Sequence, residues 1–118
     1  MSAHNVLQEQ LVADHTLIAP VAANDEIQVD RSPAFIDATG TTANFKISKA
    51  SAAGLSLVIN NGSGTPSVSA IGGGNFFCDG VDNTAQASFA LTANRATHFV
   101  SVNISGAIVW KEIMTSHA

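Results

Sequence analysis

From His98 onward the pattern of apolar residues leaves little choice but sheet. His98-Phe99-Val100-Ser101-Val102-Asn103-Ile104 alternates residue by residue, with Val100, Val102 and Ile104 on one face and Phe99, Ser101 and Asn103 on the other. Ile104-Ser105-Gly106-Ala107 is then too short for anything but a tight turn, and Ile108-Val109-Trp110-Lys111-Glu112-Ile113 resumes the apolar run. The two segments are predicted to form an antiparallel hairpin near Trp110, the only tryptophan. Val100, Val102 and Trp110 are assigned to the core.

The same short strands recur upstream. Glu26-Ile27-Gln28-Val29-Asp30 alternates, Pro33 interrupts, and Ala34-Phe35-Ile36-Asp37 resumes; proline favours a strand start or a sheet edge. Ala43 to Ser48 places Phe45 and Ile47 inward and Lys46 outward. Leu55, Leu57 and Ile59 share the core face of the next strand, which ends in the turn signal Asn60-Asn61-Gly62-Ser63-Gly64. Pro66 to Ile71 is a short strand, Gly72-Gly73-Gly74 a break, and Phe76-Phe77 another apolar piece. One of those two phenylalanines must be core and the other points away. Ser88-Phe89-Ala90-Leu91-Thr92 adds Phe89 and Leu91 to the core. Between residues 25 and 118 no helix longer than a turn or two is expected, and strands at this spacing indicate a sandwich or barrel.

Residues 1–24 read as an N-terminal arm before a β-domain at 25–118. Val6, Leu7 and Leu11 would suit a short amphipathic helix, which Asp14 stops, and Leu17-Ile18 before Pro20 should be extended. Either the arm orders on a neighbouring subunit or partner, or it is a frayed terminus.

Charge is sparse, at 12% of residues, with a formal net charge of −4. Nucleic acid is therefore not an expected partner, and so poor a surface favours assembly, because surfaces that meet partners lose charge at their centres. Residues 1–40 hold six acids against Arg31 alone; the rest is nearly neutral. Cys78 is the only cysteine, so packing and not a disulfide must hold the fold. No run is apolar enough for a membrane helix and no signal-peptide pattern opens the chain, so synthesis in a cytoplasm is expected, with no membrane partner.

The chemistry-bearing residues form no constellation. His4, His15, His98 and His117 lack the paired spacing of a metal site. Cys78, beside Phe76 and Phe77, reads as a buried thiol rather than a nucleophile. The triple glycine is followed by neither Lys-Ser/Thr nor a helix, so it is no phosphate loop. Asp79, Asp82 and Asn83 could hold a calcium ion, but an Asx turn is the simpler reading. Trp110 with Phe45, Phe89 and Phe99 could be a sugar platform; core is the simpler reading. No catalytic residue, cofactor or metal is assigned, and the chain is not expected to be an enzyme.

In order, the chain reads Phe45-Lys46-Ile47, Ala50-Ser51-Ala52-Ala53-Gly54, Leu57-Val58-Ile59-Asn60-Asn61-Gly62, Pro66-Ser67-Val68, Gly73-Gly74, Asp79-Gly80, Phe89-Ala90-Leu91-Thr92, Phe99-Val100-Ser101 and Trp110. This order resembles a β-module of bacteriophage virion proteins, found in tail-fibre, knob and capsid-decoration proteins. The family's usual Asp-Gly before the tryptophan is Ser105-Gly106 here. The resemblance implies a jelly-roll-like antiparallel β-sandwich of about eight strands with an extended arm. It implies a structural role in the virion. A single short module with a charge-poor surface fits a decoration (cement) protein, a homotrimer bridging subunits of the major capsid protein on the capsid surface. A tail or head-fibre component is the alternative. Val6, Leu7, Leu11, Leu17 and Ile18 are the expected capsid contacts.

Overall fold

A computed structural model describes residues 16–18, 23–78 and 84–116. Eleven strands account for its regular structure, and no helix occurs among the described residues. They are β1 (Thr16–Ile18), β2 (Asp25–Ile27), β3 (Ala34–Ala38), β4 (Phe45–Ile47), β5 (Ser56–Asn61), β6 (Ser67–Ala70), β7 (Phe77–Cys78), β8 (Ala85–Gln86), β9 (Ser88–Ala90), β10 (Ala96–Ile104) and β11 (Ala107–Thr115). A seven-stranded sheet runs β1-β3-β5-β10-β11-β7-β8, and a four-stranded sheet runs β2-β4-β6-β9.

The protein is thus all-β, but the expectation of about eight antiparallel strands is corrected: both sheets are mixed. From β1 to β6 successive strands alternate between the sheets. Each short connection carries the chain across the core rather than back beside the strand just left. Two crossings return it to the first sheet running in its original direction, so neighbours are parallel. Phe35 lies opposite Val58 in one sheet, and Phe45 opposite Val68 in the other. Beyond β7 the chain turns back on the coil it has made. β9 pairs antiparallel with β6, and β10 with β5.

The expected hairpin is present. Ile104 faces Ala107 across a two-residue turn in which Ser105 and Gly106 both have positive φ, 52° and 89°. Both central residues of a type I′ turn need that conformation, and it matches the twist of the flanking strands. Asn103 Oδ1 accepts the Gly106 N–H at 3.0 Å. Near the far end the register slips at His98/Phe99, where Ile113 is the extra residue of a bulge.

One core lies between the sheets. Ile36, Leu57, Ile59, Phe77, Phe99 and Trp110 enter it from the larger sheet, and Ile27, Phe45, Ile47 and Val68 from the smaller. Leu91 is buried just beyond β9, and Phe89 is half-buried against the cluster. Phe99 is its aromatic hub, edge-on to Phe89 at 5.0 Å and to Phe77 at 6.0 Å.

The alternation of β10 holds with its sides exchanged. Thr97, Phe99 and Ser101 are buried, while Val100 and Val102 are half-buried on the opposite, outer face. Two valines were expected to outweigh a phenylalanine and a serine. Ser101 can go inside because its hydroxyl is satisfied: it accepts the Leu55 N–H at 2.8 Å and donates to Ala52 O at 2.7 Å. The strand expected at 26–30 is also shorter, covering only Asp25–Ile27. Val29 still packs on the core, its N–H bonded to Ser48 Oγ.

Candidate functional site

Each residue singled out for chemistry has a definite place in this frame. Trp110 is 1% exposed, and its indole N–H donates to Ser48 O at 3.3 Å. Phe45 and Phe99 are buried with it. Aromatic faces turned into a core cannot stack on a sugar, so the platform reading is overturned. Phe77 is core and Phe76 is half-buried, with the Lys49 ammonium 4.2 Å from its ring centroid. Cys78 is buried.

The triple glycine forms a turn in which Gly72, Gly73 and Gly74 all have positive φ, and a Cβ on Gly74 would strike the Phe76 ring. The glycines are thereby explained by backbone geometry. His98 lies on the outer face of the large sheet, with Nε2 2.9 Å from Ser56 Oγ. Among the described residues no carboxylate is hydrogen-bonded to the other ring nitrogen, so the pair lacks the third group that orients a base toward a nucleophile. Asp79 to Asn83, the suggested calcium loop, lies outside the described residues, and so do His4, His15 and His117. No cluster of three potential metal ligands occurs among the described residues.

The resolved carboxylate shifts have structural causes. Arg31, 2.8 Å from Asp30 Oδ1, lowers the Asp30 pKa through its hydrogen bond and its charge. Thr39 hydroxyl and N–H donation holds the Asp37 carboxyl below the usual carboxylate range. Asp30 is exposed in the β2–β3 connection and Asp37 is half-buried near the end of β3, and such pairs contribute little to stability.

Of the expected partner contacts, Val6, Leu7 and Leu11 lie outside the described residues. Leu17 and Ile18 fall in β1, whose backbone pairs with β3 in parallel, Leu17 opposite Ile36 and Ile18 opposite Asp37. The segment expected to be extended is extended, and it forms the edge strand of the seven-stranded sheet.

Two features escaped the sequence. Asn61, within the turn signal, is buried, and its amide donates to Gly64 O at 2.8 Å and to Thr92 O at 2.9 Å. Ile113 and Met114 are large apolar residues left 53% and 62% exposed at the bulge. An extra residue inserted in a strand has no signal of its own in an apolar run. The chain matches no protein-family model and no curated protein.

Proposed function

We propose that this chain is a structural protein of a bacteriophage virion: a decoration protein that binds the capsid exterior and stabilises the shell by bridging neighbouring capsomers. It works by binding, without catalysis or cofactor. The observation that carries the proposal is how the motifs shared with phage virion modules divide over the fold. Phe45-Lys46-Ile47 is β4, and Ala50 to Gly54 is a connection. Leu57 to Asn61 lies in β5 and Ser67-Val68 in β6, Gly73-Gly74 is a turn, Phe89-Ala90 lies in β9, Phe99 to Ser101 in β10 and Trp110 in β11. We read the two sheets on their common core as a sandwich-type layer pair, with the parallel coil in place of jelly-roll strand order.

In this account the residues before β1 reach from the sheet edge to the major capsid protein, with Val6, Leu7 and Leu11 as apolar contacts. Leu17 and Ile18 anchor the arm to its own sheet. A homotrimer at a local threefold position presents three arms at once. Modest contacts then add through effective concentration, and the shell resists internal pressure by avidity. Neither nucleic acid nor membrane takes part.

Deleting residues 1–15 tests the arm while sparing β1. Full-length and shortened chains are added to shells lacking the protein, then sedimented and heated. The full chain is expected to co-sediment and raise the temperature at which shells break. The shortened chain should keep its Trp110 fluorescence and fail to bind. A full chain that binds no shell overturns the proposal.

A further inference from the structure

The two outer faces of the molecule differ in kind. On the four-stranded sheet, Glu26, Lys46, Ser69 and Ser88 stand in one cross-strand row, with Ser67 and Ala90 in the next. Small hydroxyls and two opposite charges on neighbouring strands make this a face suited to water. On the seven-stranded sheet the corresponding row is Phe35, Val58, His98 and Met114. Beside it lie Val100 and, one step on, Val102, both half-buried, while Val109 opposite Val102 is already covered at 1% exposure. No described strand lies over this face. A row that is apolar on three of its four strands, with His98 on β10 flanked by Val100 and a methionine 62% exposed at its end, marks a contact surface rather than scattered surface apolars.

We propose that this outer face of β3, β5, β10 and β11 binds a second copy of the same chain. Its charges argue for that occupant. On these strands the outer face carries Asp37 at one corner and Lys111 at the opposite corner. The remaining charged residue, Glu112, stands opposite the buried Phe99 and accepts the Thr115 hydroxyl. Asp37 and Lys111 are three strands apart and four residues offset in register, about 20 Å at 4.8 Å per strand and 3.3 Å per residue. They flank the apolar row on either side. A face with one acid and one base at opposite corners is complementary to itself. A second copy can set its Lys111 against Asp37 and its Asp37 against Lys111 while the apolar rows meet between them. Wholly acidic or wholly basic partners would satisfy one corner and repel the other.

The footprint fixes the expected strength. At about 3.3 Å per residue and 4.8 Å between strands, the four strands present a flat area on the order of 450 Å². That is below the roughly 800 Å² per partner of a standard stable interface. Association is therefore weak and depends on concentration. This twofold contact is separate from the threefold assembly of the decoration proposal and does not require a virion.

Sedimentation velocity of the full chain over a concentration series tests it, with Val58→Glu, Met114→Glu and a control, Ser69→Glu, on the other outer face. The wild type and S69E are expected to associate reversibly as a dimer. V58E and M114E should each raise the dissociation constant at least about tenfold. Met114 is exposed, so M114E folds even where V58E does not. A wild type that stays monomeric to about 100 µM, or M114E that associates as tightly as wild type, overturns the inference. Absence of the protein from particles would undo the decoration proposal and leave this one standing.

Discussion

Replacing Asn61 by alanine should destabilise the protein by about 2–3 kcal/mol, and replacing it by aspartate should cost more. Asn61 ends β5 and is 4% exposed. Its amide bridges the carbonyls of Gly64 and Thr92, tying the β5–β6 connection to the segment after β9. Its own N–H donates to Arg95 O and is unaffected by the side chain. Alanine removes two hydrogen bonds at roughly 1 kcal/mol each and leaves a small void. Aspartate fills the void but turns a carboxylate onto two carbonyl oxygens in a buried site, where an unpaired charge is worth several kcal/mol. The variants also differ in pH response. Burial against acceptors raises the folded-state pKa of the introduced carboxylate above its unfolded value. Its penalty is thus relieved as pH falls through the folded pKa, and N61D gains stability toward acid while N61A does not. Urea unfolding followed by Trp110 fluorescence gives the free energies, and about 3–5 °C of Tm accompanies each kcal/mol for a chain of this size. An N61A loss below about 0.5 kcal/mol, or N61D no worse than N61A, would refute the clamp.

Three further outcomes follow from other parts of the fold. Ser101→Ala should cost about 2 kcal/mol by urea unfolding, since the Leu55 N–H and Ala52 O lose their partner, whereas Val102→Ala on the outer face should cost less. Ser105→Asn should raise stability by a few tenths of a kcal/mol, measured as Tm, because asparagine tolerates the positive φ at the hairpin turn better than serine. Asp37 has a depressed folded-state pKa, so its contribution is present above the unfolded carboxylate pKa and is lost as pH falls through the folded value; Asp37→Asn should shallow the acid limb of the Tm–pH profile.

Local structure was largely legible in the sequence and global pairing was not. Alternation found β4, β5 and β10, apolar runs resuming after Pro33 and after the turn found β3 and β11, and Ser105-Gly106 found the hairpin. Alternation is blind to strand direction, because a half-buried strand has period two whether its neighbour is parallel or antiparallel. The parallel coil of β1 to β6 comes from connections that cross the core, and a Gly- or Ser-rich connection reads the same whether it crosses or reverses. Periodicity also separates two faces without saying which is inside. In β10 the decision falls to Phe99, which pairs with Leu57 and meets two other rings, and to Ser101, whose partners arrive from 46 and 49 residues away. Asn61 looked like turn chemistry because buried amide clamps and exposed turn asparagines share one residue type. As for the candidate site, the apolar outer face was hidden by the same inversion: Val100 and Val102 were counted as core.

The most direct test of the virion assignment is the number of copies per particle, from quantitative mass spectrometry of purified virions against the major capsid protein. A decoration protein predicts a ratio near one to one or another large fraction of the capsid subunits. A few copies for every hundred or so subunits would move the protein to a tail or vertex, and absence from the particle would contradict the assignment altogether.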